Sequence, residues 1–188
     1  FWKNNSSLIY VRDFGGDENF HLFVASTDGK TEKDLTPFKE VRVSIVDDLE
    51  DFPNEVLIQM NKDNPEVFDV YRLNITTGDM KQVAKNPGNI SGWVTDHTGA
   101  IRAAVTTDGV ESSLLVREKE TDEFKVLMTT DFRESVSPLF YTFDNKQLYA
   151  ASNVGRDKQA IVRINTSTGK EEELLFEHPE VDVTELNF

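Results

Sequence analysis

Four apolar anchors, Leu8, Val56, Ile101 and Leu148, recur at steps of 48, 45 and 47 residues. That internal period limits the possible folds more than any other feature of the chain. Each anchor opens the same series of segments. The first segments read "SLIYVRD" (7–13), "EVLIQMN" (55–61), "AIRAAVT" (100–106) and "QLYAASN" (147–153). The second read "NFHLFVAS" (19–26), "VFDVYRLN" (67–74), "SSLLVRE" (112–118) and "QAIVRIN" (159–165). Tight turns follow ("TDGK", "TTGD", "ETDE", "STGK"), and then third segments "TEKDLTP", "MKQVAK", "FKVLMTT" and "EEELLFE". Three of those turns hold Gly where a hairpin needs positive φ. A fourth run leads into the next unit: "VRVSIVDD" (41–48), "ISGWVTD" (90–96), "SPLFYTFD" (137–144) and "VDVTELNF" (181–188).

One hairpin is written nearly twice, "DVYRLNITTGDM" (69–80) and "AIVRINTSTGKE" (160–171), with Arg72, Asn74, Thr77 and Gly78 matched by Arg163, Asn165, Thr168 and Gly169. Its two copies stand two units apart. Alternation such as Val70/Arg72/Asn74 against Tyr71/Leu73/Ile75 predicts a half-buried strand. No segment carries a capped helix with a clean 3.6-residue stripe. The expected fold is therefore all-β, a β-propeller of four repeats of about 47 residues, each a four-stranded antiparallel blade. The whole of 1–188 reads as a single propeller domain or fragment, with repeats at approximately 1–48, 49–93, 94–141 and 142–188. Phe188 corresponds in phase to Phe1, and the opening "FWKNNSSLIY" is neither a Met start nor a signal peptide, so the expectation is a part of a larger ring. In a competing arrangement, "VDVTELNF" completes the first unit's sheet and closes a four-bladed ring. A β-sandwich is the remaining alternative.

Charge narrows the partners. Thirty-four acidic against twenty basic residues give a net charge of −14, a field that repels nucleic acid and anionic lipid. No apolar run approaches the roughly 18 residues of a membrane span. Neither a nucleic acid nor a membrane is expected as a partner. The absence of cysteine excludes disulfides and thiolate chemistry but leaves the compartment open between cytoplasm and periplasm.

The stretches "IYVRDFGGDENFHLFVASTDGKTEKDLTPF" and "VLIQMNKDNPEVFDVYRLNITTGDMKQVAKNPG" give the chain a resemblance to the N-terminal β-propeller of prolyl-oligopeptidase-type serine peptidases, the group that includes acylaminoacyl peptidases and dipeptidyl peptidases. Similar wording occurs in TolB-like propellers. The likeness is most specific in "GDENFHL" and "NKDNPEVFDVYRLN"; the second half is ordinary blade grammar. It implies a propeller that stands over an α/β-hydrolase domain, restricts access by bulky or folded polypeptide, and in some members holds the amino terminus of a peptide substrate. The implied partners are that peptide and the hydrolase domain, which is missing from this chain.

The family's nucleophile needs a G-x-S-x-G elbow, which does not occur; "NISGW" at 89–93 lacks the first Gly. No catalytic residue, cofactor or metal ligand is assigned. Sialidase boxes are approached only by "STDGKT" (26–31), which lacks the spacer and the Trp. His21, His97 and His178 fall in three repeats without an H-E-x-x-H pattern. The candidate substrate-binding residues are Asp17, Glu18 and Asn19 in "DFGGDEN" and Asp63 and Asn64 in "NKDNPEVFD". Paired carboxylates there would hold a peptide ammonium by charge-assisted hydrogen bonds; the plain alternative is a solvated turn. The aromatics Trp93, Phe140, Tyr141, Phe143 and Phe188 are expected to pack between blades, with a peptide-binding aromatic patch as the other reading. Sequons at Asn4, Asn5, Asn74, Asn89 and Asn165 read as turn residues, or as glycan acceptors in a secreted protein. Two further functions stay open: a TolB-like protein-binding scaffold, and a metal-dependent propeller hydrolase or lactonase.

Overall fold

The computed structural model of the chain describes residues 1–186. Among them there are sixteen strands and no helix. They form four sheets, each of four consecutive antiparallel strands in chain order. The first holds β1 (Trp2–Asn4), β2 (Ser7–Arg12), β3 (His21–Ser26) and β4 (Glu32–Asp34). The second holds β5 (Val43–Asp47), β6 (Glu55–Asn64), β7 (Val67–Asn74) and β8 (Met80–Ala84). The third runs through β9 (Ile90–Thr95), β10 (Ile101–Thr107), β11 (Ser112–Val116) and β12 (Lys125–Thr130). The fourth comprises β13 (Val136–Tyr141), β14 (Gln147–Ser152), β15 (Ala160–Asn165) and β16 (Glu171–Phe176).

Sequence period and hydrogen-bonded sheet are out of phase by one strand. The fourth runs of the first three repeats become β5, β9 and β13, and each pairs with the strand that follows it. Each of the first three repeats thus supplies three strands of one sheet and the first of the next. The first sheet takes its first strand from β1, where Trp2 pairs with Leu8. "VDVTELNF" forms no strand over 181–186, and Asn187 and Phe188, including the packing expected of Phe188, lie outside the described residues. The tail is instead tied to Gln159, whose carbonyl accepts from the Val183 N–H at 2.9 Å and whose N–H donates to Asp182 at 2.8 Å.

The chain divides into two compact units, Phe1–Gly88 and Asn89–Phe188. In the first, Ile9 and Leu22 pack in one cluster with Val56, Ile58, Met60, Tyr71 and Leu73 of the second sheet. Those side chains point the same way because residues two apart share a face of a strand. Full burial of each such aliphatic side chain contributes roughly 1.5–3 kcal/mol. Tyr71, Leu73 and Ile75 are buried and Arg72 and Asn74 only partly so, as the alternation predicts, but Val70 and the neighbouring Leu57 on that second face are fully buried as well. In the second unit Ala103 and Leu114 of the third sheet meet Tyr141, Leu148, Ala150, Val162 and Ile164 of the fourth.

The twice-written hairpin is built the same way in both units. Asn74 Oδ1 accepts the N–H groups of Thr76 and Thr77, each at 3.0 Å, and Asn165 Oδ1 accepts those of Ser167 and Thr168 at 2.9 and 3.1 Å. Gly78 and Gly169 then take φ of 84° and 71°, which only glycine adopts cheaply. Both turns belong to the second sheet of their unit and abut the outer strand of the first: Gly78 faces Lys33 of β4, and Gly169 faces Leu127 of β12. A shared docking task explains the shared wording.

Candidate functional site

The connection between β2 and β3 carries Asp17, Glu18 and Asn19 on a reversal made by Gly15 and Gly16, at φ of 71° and 87°. Asp17 is spent on the turn. Its Oδ1 accepts the N–H groups of Phe14 at 3.2 Å and Asn19 at 3.1 Å, and its Oδ2 accepts from Asn19 Nδ2 at 3.2 Å. The Asn19 N–H foremost holds the Asp17 carboxyl below the usual carboxylate range. Asn19 is committed to the same bonds. Glu18, exposed and in the left-handed region at φ 60°, has a carboxylate with no hydrogen-bond or ion-pair partner among the described residues. Of the three, Glu18 is the side chain available to a ligand.

That loop stands on an aromatic and cationic platform. Phe14, half exposed, meets the His21 ring edge-on at 5.2 Å and Phe23 at 5.9 Å. The Arg12 guanidinium lies 4.2 Å from the Phe23 centroid and pairs with Glu32 at 2.8 Å. His21 Nδ1 is 2.7 Å from Asp34 Oδ2, while Asp34 Oδ1 accepts the Thr36 N–H at 2.8 Å. The ring is therefore oriented by a carboxylate that is itself oriented. Among the described residues no group of three or more His, Cys, Asp or Glu side chains gathers in a metal-binding arrangement.

Asp63 and Asn64 sit at the tip of the β6–β7 hairpin. Asn64 Oδ1 accepts the Glu66 N–H at 3.0 Å and so serves the turn. Asp63 is exposed and takes a long 3.4 Å bond from the Tyr71 hydroxyl. Burial above all, then the charges of Asp63 and Asp69, push the Tyr71 phenol up to about 12. Asp69 is buried and satisfied by the Asn86 N–H and by Gln82 Nε2, both at 2.7 Å. No hydrogen bond or ion pair joins the 17–19 loop to the 63–64 tip, so the candidate residues form two separate acidic points.

The second unit contains a concavity that the sequence reading does not single out. Cavities of about 440 and 630 Å³ adjoin at Arg102, Glu118 and Ser167, between the turns of the third and fourth sheets. Arg102 forms the floor, its side chain 15% exposed, with Nη1 3.3 Å from Asp96 and 3.0 Å from the Asn145 carbonyl. The only signal in the sequence is one cation set in an apolar strand, "AIRAAV". Nearby, Phe143 is 81% exposed but stacks at 4.9 Å on His97 in a turn of the neighbouring third sheet. Tyr141 does pack between sheets, while Phe140 lies against Tyr149 of its own sheet and Trp93 against Phe124 in the loop before β12.

No protein-family model matches the chain. A dipeptidyl aminopeptidase BIII of Pseudoxanthomonas mexicana is 27% identical over 186 residues, which are 97% of this chain and 27% of that protein. Among solved structures, TolB of Acinetobacter baumannii superposes with a TM-score of 0.59 at 15% identity, over 92% of this chain and 42% of its own. A puromycin-hydrolyzing peptidase of Mycobacterium tuberculosis gives 0.59 at 13% identity, over 93% and 28% of the two chains. An oligogalacturonate lyase in complex with manganese gives 0.62 at 12%, over 94% and 52%. The chain spans little more than a quarter of its peptidase relative and about half or less of these structures. Its four antiparallel sheets have the β-propeller fold, similar in sequence to part of a dipeptidyl aminopeptidase and in architecture to TolB and peptidase propellers.

Proposed function

We propose that this chain is a non-catalytic propeller segment that gates access to, and helps select peptide substrates for, a prolyl-oligopeptidase-like serine peptidase whose α/β-hydrolase domain lies elsewhere in the parent protein. The observation that carries the reading is the 27% identity to a dipeptidyl aminopeptidase along 97% of the chain. The residues present suit binding rather than bond cleavage, since no G-x-S-x-G elbow occurs in the sequence. Glu18 is the best placed group for a substrate ammonium, because its carboxylate has all its acceptor capacity unused. Asp63 is a second, separate acidic point. The larger ring belongs to the same proposal.

A TolB-like binding scaffold is the second reading, favoured by the TM-score of 0.59 over 92% of the chain. That likeness concerns architecture; the sequence relative concerns a peptidase. A reaction run within this chain has less support, because the likeness to a manganese-bound lyase rests on 12% identity.

The test uses the parent peptidase and its Glu18→Gln variant on dipeptidyl arylamides with free and N-acetylated amino termini. An ammonium contact predicts a KM increase of about tenfold for the free amine alone, with kcat unchanged. Equal kinetics of both proteins on both substrates would remove Glu18 from substrate selection.

A further inference from the structure

We propose that the groove between the third and fourth sheets is a carboxylate-binding site anchored by Arg102. The inference does not rest on the peptidase reading. Arg102 is held by three acceptors: Nε donates to the Arg117 carbonyl at 3.1 Å, and Nη1 to Asp96 and to the Asn145 carbonyl. Its flat face lies over the Tyr141 ring, 5.1 Å from the centroid. Asp96, with a side chain only 5% exposed, is itself locked by the N–H groups of Thr98 and Ala100 at 2.9 and 3.2 Å. A guanidinium fixed in this way has lost its rotamer freedom before any ligand arrives. Nη2 is its one nitrogen without a hydrogen-bond partner among the described residues, and Arg102 lines both cavities.

The charge of the groove departs from that of the chain. Five cations line it, Arg102, Arg117, Lys119, Lys125 and Lys146, against four carboxylates. The whole protein carries twenty cations against thirty-four carboxylates. Two of the four groove carboxylates are also engaged locally: Asp144 accepts the Thr142 hydroxyl at 2.7 Å, and Asp122 accepts the Lys119 N–H at 3.1 Å. With Asp96 paired to Arg102 the groove is close to balanced in charge where the molecule as a whole is acidic, with a preset planar donor in its lining and the Ser167 hydroxyl at its shared edge. A charge-assisted bond to a partly desolvated guanidinium is roughly twice as strong as a neutral one, which favours a carboxylate over an amide. Cavities of about 440 and 630 Å³ have room for an acidic side chain or a chain terminus with its neighbours.

Three capped amino acids separate the sources of that carboxylate. N-acetylglutamate α-amide carries it on the side chain, N-acetylglutamine carries it on the main chain, and N-acetylglutamine α-amide has none. Each is titrated at low salt into the full chain while the Arg102 Nε–H resonance is followed by NMR. At least one of the acids is expected to shift it saturably, identifying the source, while the diamide does not. Ser167→Trp fills the groove from an exposed position and is expected to weaken binding by about tenfold or more. Arg102→Lys keeps a charge beside Asp96 but removes the planar guanidinium with its free Nη2, and weakens it likewise. The proposal is overturned if neither acid saturates, if the diamide binds as well as the acids, or if Ser167→Trp binds as the wild type does.

Discussion

Gly169 lies so close to the carbonyl of Leu127 that a Cβ there would stand 2.7 Å from the oxygen. This is backbone against backbone, between the β15–β16 turn and the outer strand of the neighbouring sheet, and neither side can yield cheaply. Gly29, in the corresponding turn of the first sheet, has a similar φ of 70° and nothing within 4 Å. Gly29→Ala is therefore expected to cost only the left-handed penalty, about 1–2 kcal/mol. Gly169→Ala should cost clearly more in urea unfolding of the same protein. Equal losses would mean that the turn does not dock against β12.

Tyr141 is 1% exposed, and its hydroxyl has no hydrogen-bond partner among the described residues. An unsatisfied buried hydroxyl costs about 1–3 kcal/mol, and removing it leaves the ring's packing in place. Tyr141→Phe is predicted to raise stability by about 1 kcal/mol in urea unfolding. A loss of stability would show that the hydroxyl is hydrogen-bonded in solution.

Burial pushes the Tyr71 and Tyr141 phenols up to about 12 from an ordinary value of 10. Between those values the unfolded chain gives up the two protons while the folded chain keeps them. The stabilisation is complete below pH 10 and drains away as pH rises through about 12. Ultraviolet titration of the four tyrosines should show two that ionise only near pH 12 or together with loss of the native circular dichroism. Complete ionisation by pH 11 with the fold intact would contradict their burial.

The blades are legible in the sequence because two regularities coincide: period-two alternation within strands, and a period of about 47 residues between them. What a single strand cannot reveal is which neighbour it bonds to. The run 41–48 reads as the end of the first repeat, yet Val43 pairs with Met60 of the second sheet. Among the candidate site residues, Glu18 stands exposed as the loop's composition suggests, whereas Asp17 looks identical in sequence and is consumed by the N–H groups of Phe14 and Asn19. The Arg102 groove is invisible for a stronger reason. It is lined by turns near residues 118, 145 and 167, which only the stacking of two sheets brings together.

Gating is the central proposal, and substrate size tests it most directly. One N-terminal dipeptide is presented to the parent peptidase twice: on a short free peptide, and on a brief tail fused to a tightly folded domain. A propeller that admits only extended chain predicts rapid dipeptide release from the peptide and a rate lower by orders of magnitude from the fusion. Equal release from both would contradict the proposal.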